Sequence, residues 1–237
     1  MMQQQQLPAT NSRNQITLRG STKIIVEFFE YCINSLLFQR GIYAPEHFKV
    51  TKKYGLSMLV TTSVEVKSHM REILKQVEAW LMACKVEKLI LAIKSKETMA
   101  VLERWQFDIQ NSKDQATTRT TQQNPLSDPA FSSASSPATA SLSTPTAKPE
   151  KSEQEIQSEI QAILRQITAS VTFLPMLDEK CTWTILCQTE VDAEVPATWS
   201  DADPHLVHNA EQVRLRSFST NIHKVDAMVA YRLHDDL

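Results

Sequence analysis

The chain has 237 residues, 42% of them hydrophobic and 22% charged, with a formal net charge of −2. That is enough for one globular domain with a substantial core, and the near-neutral balance excludes the basic footprint of a nucleic-acid binder. The only glycines are Gly20, Gly41 and Gly55, and none falls in a GxGxxG or GxxxxGKS/T pattern, so the common nucleotide-phosphate loops are not expected.

The N-terminus MMQQQQLPAT has no basic region followed by an apolar run, so no secretion signal is expected. No apolar stretch approaches the roughly 20 residues needed to cross a bilayer. Cys32, Cys84, Cys181 and Cys187 are scattered among core-type residues. Without a secretion signal they are expected as free thiols, which points to a cytosolic or nuclear setting.

Ser21–Arg40 is a helix candidate that stops at Gly41, with Pro45 soon after. Ile24, Ile25, Phe28, Phe29, Cys32, Ile33, Leu36 and Leu37 cover more than one face, so this helix should be central. Phe48–Val60 reads as a hairpin turning near Lys52, Lys53, Tyr54 and Gly55. Thr62 and Glu65 have capping-box spacing ahead of a second helix, whose Val66, Met70, Ile73, Leu74, Val77, Trp80, Leu81 and Cys84 form one apolar stripe. Val86–Ile93 reads as a buried strand. Val101–Ile109 reads as a half-buried one, with Arg104, Gln106 and Asp108 outward.

Residues 112–150 break the pattern. They are rich in Ser, Thr, Ala and Pro, with Leu126, Phe131 and Leu142 as the large apolar residues. Such a segment cannot offset its ordering entropy by burial and is expected to be a disordered insertion. Ser152 and Glu155 then open a third helix with a stripe of Ile156, Ile160, Ile163, Leu164, Ile167 and Val171. Cys181–Cys187 alternates as a strand. Gln188–Gln212, with Pro196 and Pro204, reads as a long surface loop. Glu211–Tyr231 reads as two terminal strands, with Val213, Leu215 and Ser217 on one face, Arg214, Arg216 and Phe218 on the other, then Val225, Ala227, Val229 and Tyr231. Three helices among mostly antiparallel strands make an α+β fold.

No catalytic constellation emerges. Cys181 and Cys187 with His223 are the nearest approach to a thiol nucleophile and base, and buried structural thiols are the expected reading. His205 and His208 lack the partners of a zinc set and are expected to be solvated. Asp235 and Asp236 are terminal acids. No enzyme activity, metal or cofactor is expected. Trp80 and Trp183 fit either a core or a groove-lining role. Trp199 has no periodic reason to lie in its polar loop and should anchor that loop on the domain or on a ligand.

Several blocks carry a resemblance: ITLRGSTKIIVEFFEYCINSLLFQRGIY (Ile16–Tyr43), KKYGLSMLVTT (Lys52–Thr62), VLERWQFDI (Val101–Ile109), RQITASVTFLP (Arg165–Pro175) and RLRSFSTNIHKV. In this order they resemble the HORMA-domain mitotic spindle-checkpoint adaptors, the mitotic-arrest-deficient family, and the insertion is where the chain departs from them. The resemblance implies a HORMA domain in two parts, 16–111 and 151–237. A flexible 1–15 would precede them, 112–150 would interrupt them, and a mobile safety-belt region would span 188–237.

It further implies a peptide-binding adaptor, using Trp80, Cys181, Trp183, Ile185, Cys187 and Trp199. The peptide would come from a coiled-coil kinetochore checkpoint receptor or from the activator of the anaphase-promoting complex. Two topologies are implied. In the open one the terminal strands occupy the ligand's place. In the closed one they move to the opposite edge and displace the segment near Ile16–Leu18. Leu18, Val213, Leu215, Val225 and Tyr231 should weigh on that balance. Arg165 and Gln166 should form the surface for self-association of open and closed forms and for the HORMA antagonist. An AAA+ remodeller and kinase-like checkpoint complex members complete the implied partners, in the nucleus, at kinetochores and in the cytoplasm. A HORMA scaffold of a translesion polymerase or of meiotic chromosome axes is the alternative.

Overall fold

The most apolar helix is the central one. In the computed structural model, which describes residues 16–111 and 151–233, α1 runs Leu18–Gln39, and Ile25, Phe28, Phe29, Cys32, Leu36 and Leu37 are fully buried. It starts three residues before the expected Ser21 because Thr17 caps it, its hydroxyl accepting from Gly20 N–H at 3.1 Å. At the far end Gly41 N–H donates to Phe38 O and Ile42 N–H to Leu37 O. This paired closure needs the left-handed φ of +62° that Gly41 adopts.

A hairpin follows, β1 (Phe48–Lys53) and β2 (Leu56–Thr61), joined by Tyr54 and Gly55 at φ 50° and 68°. Two positive φ values are what a tight hairpin turn requires. A Cβ on Gly55 would also meet Gln161 Nε2 at 2.9 Å, the same nitrogen that donates to Tyr54 O. Asn34 on α1 holds the end of the hairpin, its Oδ1 accepting from Thr61 N–H at 2.8 Å.

The second helix, α2 (Val64–Met82), is capped by Ser63 rather than by the expected Thr62. Ser63 Oγ accepts from Val66 N–H and donates to Glu65. The third helix, α3 (Glu153–Ala169), forms the capping box on Ser152 and Glu155 as expected, and Ile156, Ile160, Ile163, Leu164 and Ile167 face the core. Val171 leaves that stripe. It lies in the 3-10 turn Ser170–Thr172 and is exposed.

Strands β3 (Val86–Ser95), β4 (Val101–Asn111), β5 (Cys181–Thr189), β6 (Ala210–Arg214), β7 (Phe218–Ser219) and β8 (His223–Arg232) form one antiparallel sheet in the order β5–β3–β4–β8–β6, with β7 pairing the start of β8. The helices cover one face, where Leu89, Leu91, Ile93, Trp105, Phe107, Val225 and Val229 are buried. β4 is more deeply buried than its alternation suggested. Glu103 and Arg104 are both nearly inaccessible, because Arg40 Nε donates to Glu103 Oε1 at 2.7 Å and Trp105 Nε1 to Glu103 Oε2 at 3.1 Å. Arg40 also donates to Pro175 O, tying α1, β4 and the chain after α3 together. Burial raises the Glu103 pKa and Arg40 opposes it.

The terminal segment also corrects the reading of Phe218. Leu215, Arg216 and Ser217 belong to no strand, so the alternation restarts. Phe218 turns inward against Phe28 at 4.8 Å, and Ser217 turns out. The expected insertion 112–150 and the N-terminal 1–15 fall outside the described residues.

Candidate functional site

β5 is the edge of the sheet. Among the described residues it pairs with β3 on one side and with no strand on the other. Alternate residues of this nine-residue strand therefore present outward backbone groups over roughly 30 Å, at about 3.3 Å per residue. Register fixes the side chains: Cys181, Trp183, Ile185 and Cys187 lie opposite Ser95, Ile93, Leu91 and Leu89, on the helix-covered face. Trp183 Nε1 donates to the Tyr43 hydroxyl at 2.9 Å, and its ring meets the His69 ring at 5.4 Å. Burial pushes the Cys187 thiol up to about 12 and raises that of Cys181 as well. Neither is a thiolate at neutral pH, which removes the nucleophile from the thiol reading. Cys32, Cys84, Cys181 and Cys187 are all free.

After β5, residues 190–209 form no strand and are held at three points. At the Thr189 end, Lys85 Nζ contacts Glu190 at 2.6 Å and Asp192 at 2.8 Å, and Glu190 N–H donates to Lys85 O. Next, Trp80 Nε1 donates to Glu194 O at 2.8 Å, and the Trp80 ring meets Trp199 edge-on at 4.9 Å. Finally, Arg104 Nε donates to Pro204 O at 3.2 Å, and Lys94 Nζ lies 3.4 Å from His205 Nε2. Burial and Lys94 lower the His205 pKa, so this half-buried histidine is not the solvated one expected. Trp80 is on the helix side, whereas Lys94 and Arg104 point from the opposite face of the sheet. The loop's anchors therefore lie on both faces of the sheet.

The far edge is closed by the chain's own end. β8 pairs with β4 over nine positions, from Glu103↔Tyr231 to Asn111↔His223, and β6 covers β8. Val225, Val229 and Tyr231 are buried in this seam, and Val213 and Leu215 pack against it. α3 fastens the β6–β7 connection: Gln166 Oε1 accepts from Arg216 N–H at 2.7 Å, Glu159 accepts from Ser219 N–H at 3.0 Å, and Lys151 Nζ donates to Ser219 Oγ at 2.7 Å. Arg165 beside it is exposed, as are Val171 and Phe173, and Phe173 approaches Tyr231 at 6.2 Å. Leu18 is half-buried at the first position of α1.

The expected residues thus fall into three places. Trp80 and Trp199 meet in the loop anchor, Cys181, Trp183, Ile185 and Cys187 line the open strand, and Val213, Leu215, Val225 and Tyr231 form the far seam. Arg165 and Gln166 sit over that seam. Lys85, Arg104, Phe173, Phe218 and His223 take structural parts that periodicity did not reveal. Lys85 precedes β3 and its acids Glu190 and Asp192 follow β5, so no local spacing in the sequence joins them.

The HORMA domain family matches residues 21–223. Mitotic spindle checkpoint component mad2 of Schizosaccharomyces pombe is 45% identical over 94% of this chain and 97% of its own length. Mitotic spindle assembly checkpoint protein MAD2A of Homo sapiens is 43% identical over 94% and 96%. A chain in the crystal structure of a mitotic checkpoint complex superposes with a TM-score of 0.72 at 44% identity, covering 90% of this chain and 99% of that one. Caenorhabditis elegans HTP-1 bound to the HIM-3 closure motif superposes with a TM-score of 0.67 at 12% identity over 94% of each chain, a likeness of fold alone. The chain belongs to the HORMA-domain family and, within it, to the mitotic spindle checkpoint proteins.

Proposed function

We propose that this checkpoint protein is a peptide-capturing adaptor that adds an extended segment of a partner to the outer edge of β5. The observation that carries this reading is the pairing pattern: β5 has no outer strand among the described residues, while the terminal strands occupy the opposite edge. Backbone hydrogen bonds would supply affinity, and alternate side chains would supply selectivity. The loop of residues 190–209 would have to loosen before the peptide left, so dissociation should be slow. In this reading the arrangement is the closed topology, and release requires β8 to leave β4.

The partners proposed are a kinetochore receptor and the activator of the anaphase-promoting complex, with action in the nucleus and at kinetochores and a delay of anaphase as the outcome. The Arg165–Gln166 surface would serve self-association and the antagonist, and the exposed Val171 and Phe173 beside it supply the apolar area such a contact needs. An AAA+ remodeller would reopen the belt. No reaction is assigned. Relatives at 39–45% identity are spindle checkpoint proteins, so a polymerase or meiotic scaffold has no specific observation in its favour.

The test is a titration with a synthetic receptor peptide against the full chain and a chain ending before Val225. The full chain should bind with slow release, and the truncation should stay folded and bind poorly. Full-strength binding by a folded truncation would leave an ordinary open groove. Replacing residues 112–150 by a short linker should change affinity by less than about tenfold, or about 1.4 kcal/mol.

A further inference from the structure

The terminal seam contains one polar cluster that neither its apolar packing nor the peptide-capture reading uses. Ser21 on α1, Thr220 in the β7–β8 turn and His223 at the start of β8 are 0%, 5% and 1% exposed. Ser21 Oγ lies 2.6 Å from Thr220 Oγ1 and 2.6 Å from His223 Nδ1. Thr220 Oγ1 accepts from the N–H groups of Ile222 at 3.1 Å and His223 at 2.9 Å, and donates to His223 O at 3.2 Å. His223 Nε2 is buried with no partner among the described residues.

The two 2.6 Å contacts of Ser21 run in one sense or the other, Ser21 donating to Nδ1 or accepting from Nδ1–H. Both senses need a neutral ring. A second ring proton would either turn Nδ1–H against a Ser21 proton already aimed at it, or put Nε2–H where the described residues offer no acceptor.

We propose that Ser21, Thr220 and His223 are a bolt that holds the terminal strands on the β4 edge, engaged only with a neutral His223 imidazole. Ser21 is on an element that stays, and Thr220 and His223 are on the element that would move. The cluster therefore exists in one arrangement of the terminus and not in another. Lys151 pairs with Glu159, Lys224 with Asp226, Glu27 with Lys53 and Asp108 with Lys88, and Arg19 and Lys23 flank Ser21 on α1 outside these pairs. Burial, not a neighbouring charge, pulls the imidazole down to about 4. A folded value below the unfolded one means that the stabilisation is complete above about 6.5 and fades as pH falls toward 4. At pH 5.5 the seam should open about tenfold more often than at pH 8. This deepens the capture reading, on which its functional meaning rests, but it can be measured without any peptide.

The experiment follows amide hydrogen exchange of the intact chain at pH 8 and 5.5, corrected for intrinsic rates, in the native protein and in His223→Gln. Amides of Val225–Tyr231 should lose about tenfold in protection at pH 5.5 in the native protein, with little change at Leu89–Ile93. His223→Gln should be less protected at pH 8 and nearly pH-independent. Equal acid sensitivity in the variant, or equal loss at Leu89–Ile93, would overturn the bolt. NMR titration of the native His223 ring is the second readout and needs no substitution. A ring that titrates well below 6.5 is expected, and an ordinary titration near 6.5 would overturn it. A bolt that fails these tests says nothing against peptide capture, and a chain that binds no peptide leaves the bolt measurable.

Discussion

β5 and β8 are strands of similar length and opposite commitment. β8, ten residues long, is paired on both sides, with its inward residues buried against α1 and β4. β5, nine residues long, is paired on one side and has no strand on the other among the described residues. An uncovered edge is an aggregation hazard unless it is short, charged, covered or used. β5 is long and carries no charged residue. The chain spends its own terminus on the β4 edge and leaves the outer side of β5 without a strand among the described residues, the asymmetry on which the capture proposal rests.

The contrast can be broken from the buried side first. Val225→Asp places a carboxylate at a fully buried position between Ile109 and Phe218. It should cost about 3 kcal/mol or more and free β8, while the β3–β5 pairing survives. Exchange protection read strand by strand checks this, and a uniform loss over the whole sheet would show that the terminus is not a separable unit. Trp80→Ala removes both the Glu194 bond and the ring contact with Trp199 at a nearly buried site. A loss of about 3 kcal/mol is expected, with faster proteolysis between Glu190 and Asn209 than elsewhere.

Smaller changes sharpen the comparison. Trp199→Ala takes away only the loop's half of that contact and should cost about 1 kcal/mol, leaving the melting temperature nearly unchanged but speeding peptide release. Gln166→Ala removes the acceptor for Arg216 N–H and should loosen the β6–β7 connection by about 1 kcal/mol. Combined with Arg165→Glu it should also give a monomer in sedimentation that still binds peptide. Persistent association would move that surface elsewhere.

Local order was legible in the sequence wherever it is local physics. The Ser152–Glu155 capping box, the Tyr54–Gly55 turn and the stripe of α3 all follow from spacing. What the terminus does was only half legible. Period-2 alternation says strand, but says nothing about which edge it joins, because pairing to β4 is decided more than 100 residues away in sequence. Phe218 was misplaced for a related reason, since the break at Leu215–Ser217 resets the alternation. Trp80 and Trp199 were each visible as unusual, but their contact was not, because nothing in a stripe names its partner. Arg40 and Glu103 read as ordinary charges and are a buried pair, since charge alone does not report burial.

The central claim is that β5 receives an extended strand while β8 stays in place. Hydrogen exchange of the intact chain with and without a synthetic receptor peptide tests it directly. Alternate amides of Cys181–Thr189 should gain protection on binding, and those of His223–Arg232 should keep theirs. Binding that leaves β5 unchanged, or that strips protection from β8, would contradict the account.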